Sequence, residues 1–167
     1  MNYEIKEVKY NDIDTLCYVN DVCFKETYKD ILSNDYLNSL DLNSYIEDSK
    51  EDYQNNLYKS YILYLDQEPV GNICLGKSRL EDYPESGEIY SLYLLSKVQG
   101  KGFGKILFNF GINKLKEEYD EIIVCCLENN LKANQFYSHM NFKLVGKKAC
   151  LMGNNKYIEN IYYSKFN

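Results

Sequence analysis

A chain of 167 residues can bury one sizeable core without cross-links, and its net charge of −6 argues against a nucleic-acid backbone as partner. Six cysteines with no CxxC pair, beside a single histidine, argue against a metal site or a disulfide framework; reduced, buried thiols are expected. The opening MNYEIKEVKY has no apolar h-region and the runs YILYL and IIVCCL are too short to cross a bilayer, so a cytoplasmic chain without membrane contact is the expectation.

Tyr3–Val8 alternates and reads as a first strand. Asp12 is placed to cap a helix that runs from Ile13 to about Leu32, and Ser33 caps a second one carrying Tyr36, Leu37 and Leu40. From Asp41 to Asn56 the segment is polar and acidic, helical in part. SYILYLDQEPVGNICLGKS reads as a hairpin, with strands near Tyr61–Leu65 and Val70–Leu75 and a turn at Asp66–Pro69. After the loop RLEDYPESG comes a strongly β-type run, EIYSLYLL. Between Gly102 and Glu118 the pattern is helical, with Phe103, Ile106, Leu107 and Phe110 on one core-facing side. EIIVCCL has no polar interruption, as a strand covered on both faces should. A short helix in NNLKANQFYSHM and two strands, FKLVGKKAC and YIENIYYSKF, complete a mixed α/β sheet; no linker or repeat divides it, so residues 1–167 are taken as one domain.

The stretch VQGKGFGKILF joins a strand to a helix, where glycine loops commonly bind phosphate through unpaired N–H groups. Spacing separates the known devices. A Walker A loop fails, because Gly100 is followed five residues later by Lys105. A dinucleotide fingerprint fails too, since Lys105 takes the third glycine's place. The pattern [RQ]-x-x-G-x-[GA] fits, as Gln99-Gly100-Lys101-Gly102-Phe103-Gly104.

That motif resembles the pyrophosphate-binding loop of the GNAT superfamily of N-acetyltransferases. GEIYSLYLLSKVQGKGFGKILF is similar to the family's fourth-strand and third-helix block. LENNLKANQFYSHMNF is similar to its later block, with Asn130, Ala133, Phe136, Tyr137 and Phe142 in register. FKETYKDILSNDYLNSL resembles the N-terminal helices of a bacterial branch acting on small molecules. The resemblance implies a sheet of about six to seven strands flanked by about four helices, and acetyl-CoA as co-substrate without a metal. Two positions depart from the pattern: Asn141 stands where the family usually has glycine, and Ser96 where many members have proline. Asparagine tolerates the left-handed conformation, so the first departure is mild; the second removes a stiffener.

The resemblance also implies roles. Glu88, eleven residues before Gln99, matches a glutamate that deprotonates the amine through water; its alternative is an edge-strand charge facing solvent. Around Leu92, Tyr93 and Leu94 the family's strand bulges, freeing an N–H to polarise the thioester carbonyl and pairing with the pantetheine arm; the alternative is an ordinary strand. Tyr137 matches a tyrosine that protonates the departing thiolate, although eighteen tyrosines give any one of them a structural alternative. Asn130 matches a residue that bonds pantetheine, or else simply caps a helix. Gln99, Gly100, Lys101, Gly102, Phe103, Gly104 and Lys105 form the pyrophosphate loop, where the lysines either offset phosphate charge or stay solvated. Glu26, Asp30 and Asp35 lie on the helices that shape the family's acceptor site, where they either attract a cation or face solvent. His139 reads as a surface or helix-end residue. The acceptor is a small-molecule or peptide amine, its pocket shaped by about Leu32–Lys59, and the acidic balance suits a cation as well as it suits solubility. A homodimer through the C-terminal strands is left open. The rival readings are a non-catalytic acyl-CoA-binding module and an acyltransferase for longer chains or protein N-termini; a binding module would need neither Glu88 nor Tyr137.

Overall fold

Seven strands form one sheet in the order β1-β2-β3-β4-β5-β7-β6 in the computed structural model, which describes residues 2–166. They are β1 Tyr3–Glu7, β2 Lys59–Leu65, β3 Glu68–Lys77, β4 Gly87–Leu94, β5 Glu121–Leu127, β6 Lys143–Met152 and β7 Asn155–Lys165. Only β4 and β5 pair in parallel; every other neighbour is antiparallel. The helices are α1 Ile13–Tyr28, α2 Asn34–Ser39, α3 Leu42–Gln54, α4 Phe103–Leu115 and α5 Leu131–His139.

Strand alternation divides the core between the two faces of the sheet. On β2, Tyr61, Leu63 and Leu65 join the main core with Leu107, Phe108 and Ile112 of α4 and Tyr137 of α5. The intervening Ile62 packs with Ile13, Leu16 and Cys17 of α1. So α4 and α5 cover one face, and α1 to α3 the other. A third cluster joins Tyr28, Leu32 and Leu37 to Tyr93, and the tip of the β6–β7 hairpin reaches it through Cys150, Met152 and Tyr157.

Local chemistry sets most boundaries where they are expected. Ser33 caps α2, accepting from Tyr36 N at 3.3 Å. Asp12 precedes α1 without capping it; its carboxylate accepts from Lys9 N instead. The helix ends at Tyr28, short of the expected Leu32. The β2–β3 turn is tighter than expected, because Asp66 and Gln67 both take positive φ and leave Glu68 and Pro69 in the strand. Five helices stand where about four are expected. The extra one is α3, capped by Asp41, whose carboxylate accepts from Asn43 N at 2.8 Å. Ser49 is its only fully buried residue, so no wide apolar stripe announces it. All six cysteines carry free thiols.

Candidate active site

The sheet opens at its centre. β4 and β5 pair only through Gly87, Glu88 and Ile89, opposite Ile122, Ile123 and Val124; beyond Ile89 that edge of β4 has no strand partner. The main-chain groups of Tyr90–Leu94 that face the gap are therefore left for something else to bond. A bulge shapes the same segment. On β3, Cys74 pairs with Ser91 and Leu75 with Ile89, so Tyr90 is the extra residue. It lies two residues before the segment where the bulge is expected. Its effect is to reset the alternation: Leu92 and Leu94 pack towards α4, while Tyr90, Ser91 and Tyr93 face the side of α1.

Where β4 ends, the chain is fastened and then stripped of side chains. Leu95 N donates to Val70 O, Gln99 Nε2 donates to Leu94 O at 2.9 Å, and Ser96 N and Oγ both donate to Glu26 of α1. The N–H that a proline would lack at Ser96 is thus a tether, replacing one stiffener by another. Gly100 and Gly102 take φ of 73° and 88°, and a Cβ at either would meet nothing within 4 Å. Gly102 starts α4 without a capping side chain, and the first helical bond, Ile106 N to Gly102 O, leaves the N–H groups of Phe103, Gly104 and Lys105 outside the ladder. That is an anion-accepting helix end beside an open cradle. Lys101 donates to Lys97 O, and Lys105 is exposed.

Glu88 is 2% exposed on a central strand, which removes the edge-strand alternative. Its carboxylate is fully engaged: Arg79 donates to it from the guanidinium at 2.7 Å and 3.4 Å and from the backbone at 2.8 Å. Arg79 also stacks on Tyr90, 4.0 Å from its ring centre. Sequence reasoning missed this residue, although it is the only arginine in the chain.

Tyr137 is buried against Phe108, Phe136 and Tyr162, and its hydroxyl has no hydrogen-bond partner among the described residues. Burial pushes its ionisation well up, so it holds its proton at neutral pH. Asn130 caps α5 through its side-chain oxygen, which accepts from Ala133 N. A second missed residue, Asn134, ties this corner together. Its amide donates to the carbonyls of Leu127, Glu128 and Asn130 and accepts from Asn160 and Tyr162. His139 is exposed at the end of α5, its ring bonded to Gln135 O.

On the other side of β4 lies a cavity of about 450 Å³. Helix residues Asn20, Asp21 and Phe24 wall it, with Tyr36, Tyr45, Asp52 and Tyr58 from the predicted 32–59 segment and Tyr90, Ser91 and Tyr93 from β4. Glu26, Asp30 and Asp35 are not among its lining residues; Asp21, Asp41 and Asp52 are.

Comparison with known proteins gives this geometry its context. The model of the acetyltransferase (GNAT) family matches residues 25–142. An uncharacterized N-acetyltransferase of Bacillus subtilis, YuaI, is 27% identical over 129 residues, covering 75% of this chain and 72% of that protein. Among solved structures, the PaiA N-acetyltransferase of Thermoplasma acidophilum, in complex with coenzyme A, superposes with a TM-score of 0.75 at 24% identity, covering 99% of this chain and all of that one. YncA of Salmonella typhimurium, a putative acetyltransferase with its cofactor acetyl-CoA, superposes at 0.75 with 13% identity, covering 100% and 95%. With the family's model spanning most of the chain, including the splayed strand, the bare helix start and Tyr137, this protein belongs to the GNAT family of acetyltransferases.

Proposed function

We propose that residues 1–167 act as one N-acetyltransferase domain that moves the acetyl group of acetyl-CoA directly to a primary amine. One observation carries the reading: the partnerless edge of β4 leads straight into a helix start stripped of side chains. Acetyl-CoA supplies the activated thioester. The amides of Gly102–Lys105 hold its pyrophosphate, with Gln99 fixing the loop, while the Leu92–Leu94 edge pairs with the pantetheine arm. Asn130, whose side-chain oxygen caps α5, binds the same arm.

The amine enters through the cavity on the α1 side. Most of it arrives protonated, since a lysine-like amine has a pKa near ~10.4. Glu88 takes that proton through water, the Arg79 pair opening or sharing the carboxylate as it does so. The nitrogen then bonds to the carbonyl carbon, the carbon–sulfur bond breaks, and Tyr137 gives its proton to the sulfur while the second proton shed by the nitrogen returns Tyr137 to its neutral form. The products are an N-acetylated amine and free coenzyme A.

The test is a panel of amines with acetyl-CoA and detection of released thiol. Amine-dependent release, abolished by Gly102→Asp, supports the reading; binding of acetyl-CoA without release for any amine contradicts it.

A further inference from the structure

The cavity on the α1 side holds three carboxylates, and their surroundings differ. Asp21 pairs with Lys25 at 2.9 Å. Asp41 caps α3. Asp52 lies in the last turn of α3, the end whose dipole repels a carboxylate, and has no cation; among the described residues its one partner is Tyr58, whose hydroxyl donates to it at 3.0 Å. The rings of Tyr45, Tyr58 and Tyr90 line the same space, the last two edge-to-face at 5.8 Å. The cavity's one arginine, Arg79, is already matched by Glu88. A carboxylate without a counter-charge among aromatic rings is a surrounding that favours a cation.

Two further atoms await partners. Ser60 Oγ and Asn72 Nδ2 are buried, belong to cavity-lining residues and have no hydrogen bond. Buried polar groups are seldom left so, and a ligand would complete them. Register supplies the distance. Ser60 of β2 pairs with Cys74 of β3, and Cys74 with Ser91 of β4, so Ser60 stands two strand spacings, roughly 10 Å, from the strand where transfer occurs. Asp52, held by Tyr58 just ahead of β2, is on that remote side.

We propose that the acceptor is an aliphatic amine with a second cationic centre several bonds from the first, and that Asp52 with the rings of Tyr45 and Tyr58, the Tyr90 ring being taken by Arg79, holds the second centre while the first reaches β4. The proposal rests on the cavity being the acceptor site. It also excludes an acceptor whose far end is a carboxylate, because Arg79 is occupied and Asp52 would repel it.

The test compares pentylamine, cadaverine and the ω-amino acid of equal length. Cadaverine should exceed pentylamine in kcat/KM by about tenfold, and Asp52→Asn should collapse that ratio towards unity. Equal values for the two amines, a ratio unmoved by Asp52→Asn, or preference for the amino acid would overturn the proposal. Calorimetry separates it from the transfer reading. Cadaverine that binds through Asp52 yet is never acetylated upholds the cationic site and discards the chemistry; cadaverine that does not bind overturns the site.

Discussion

Tyr137 has burial and a free hydroxyl, the two properties a proton donor needs, and no bond within the protein that its removal would break. Tyr137→Phe should therefore lower kcat by about a hundredfold while acetyl-CoA affinity and melting temperature stay near wild type. Stopped turnover with lost cofactor binding would reassign it to packing. Glu88 carries a heavier structural duty, because an arginine neutralises a carboxylate that solvent barely reaches. Arg79→Gln leaves that charge unpaired and should cost about 1–2 kcal/mol in urea unfolding, and the double variant with Glu88→Gln should recover part of it. Additive losses would show that the pair is not coupled. In Glu88→Gln alone, the acidic limb of the pH–rate profile should vanish; an unchanged profile points to another base. Motif position singles out Glu88 and Tyr137 as candidates in the sequence, whereas Arg79 and Asn134 act through side-chain contacts that spacing does not encode.

At the scale of elements, the bulge at Tyr90 and the short β4–β5 pairing explain why an uninterrupted β-type run builds a cleft instead of a closed sheet. Periodicity found the strands, and capping chemistry found α2; neither could place a bulge, which depends on which residues of the neighbouring strand are opposite. Asn141, with a φ of 65°, does take the left-handed conformation that its place in the motif requires. Close packing holds the working half of β4. A Cβ at Gly71 would lie 2.6 Å from Tyr93 O and 2.5 Å from Leu94 Cδ2. Gly71→Ala must push β4 aside, so it should destabilise the fold by about 1–3 kcal/mol and weaken acetyl-CoA binding together, read by denaturation and calorimetry. Gly102→Ala makes the contrast: a Cβ there meets nothing, and only the left-handed backbone resists, at about 1 kcal/mol.

For the molecule as a whole, buried acids set the alkaline limit. Burial pushes the thiols of Cys23, Cys74, Cys125 and Cys126 up to about 12 from an ordinary 9.0, and it raises Tyr28 and Tyr93 as well. These groups hold protons more tightly folded than unfolded. Their contribution to stability is complete below pH 9 and disappears as pH rises towards 12, so the melting temperature should fall across that window. A flat profile there would deny the burial. The central claim is that a partnerless strand edge and an uncapped helix start together seat acetyl-CoA. Amide chemical shifts during an acetyl-CoA titration test it most directly. The largest changes should fall on Leu92–Leu94 and on Gly102–Lys105; saturable binding that leaves both groups of amides unmoved would contradict the account.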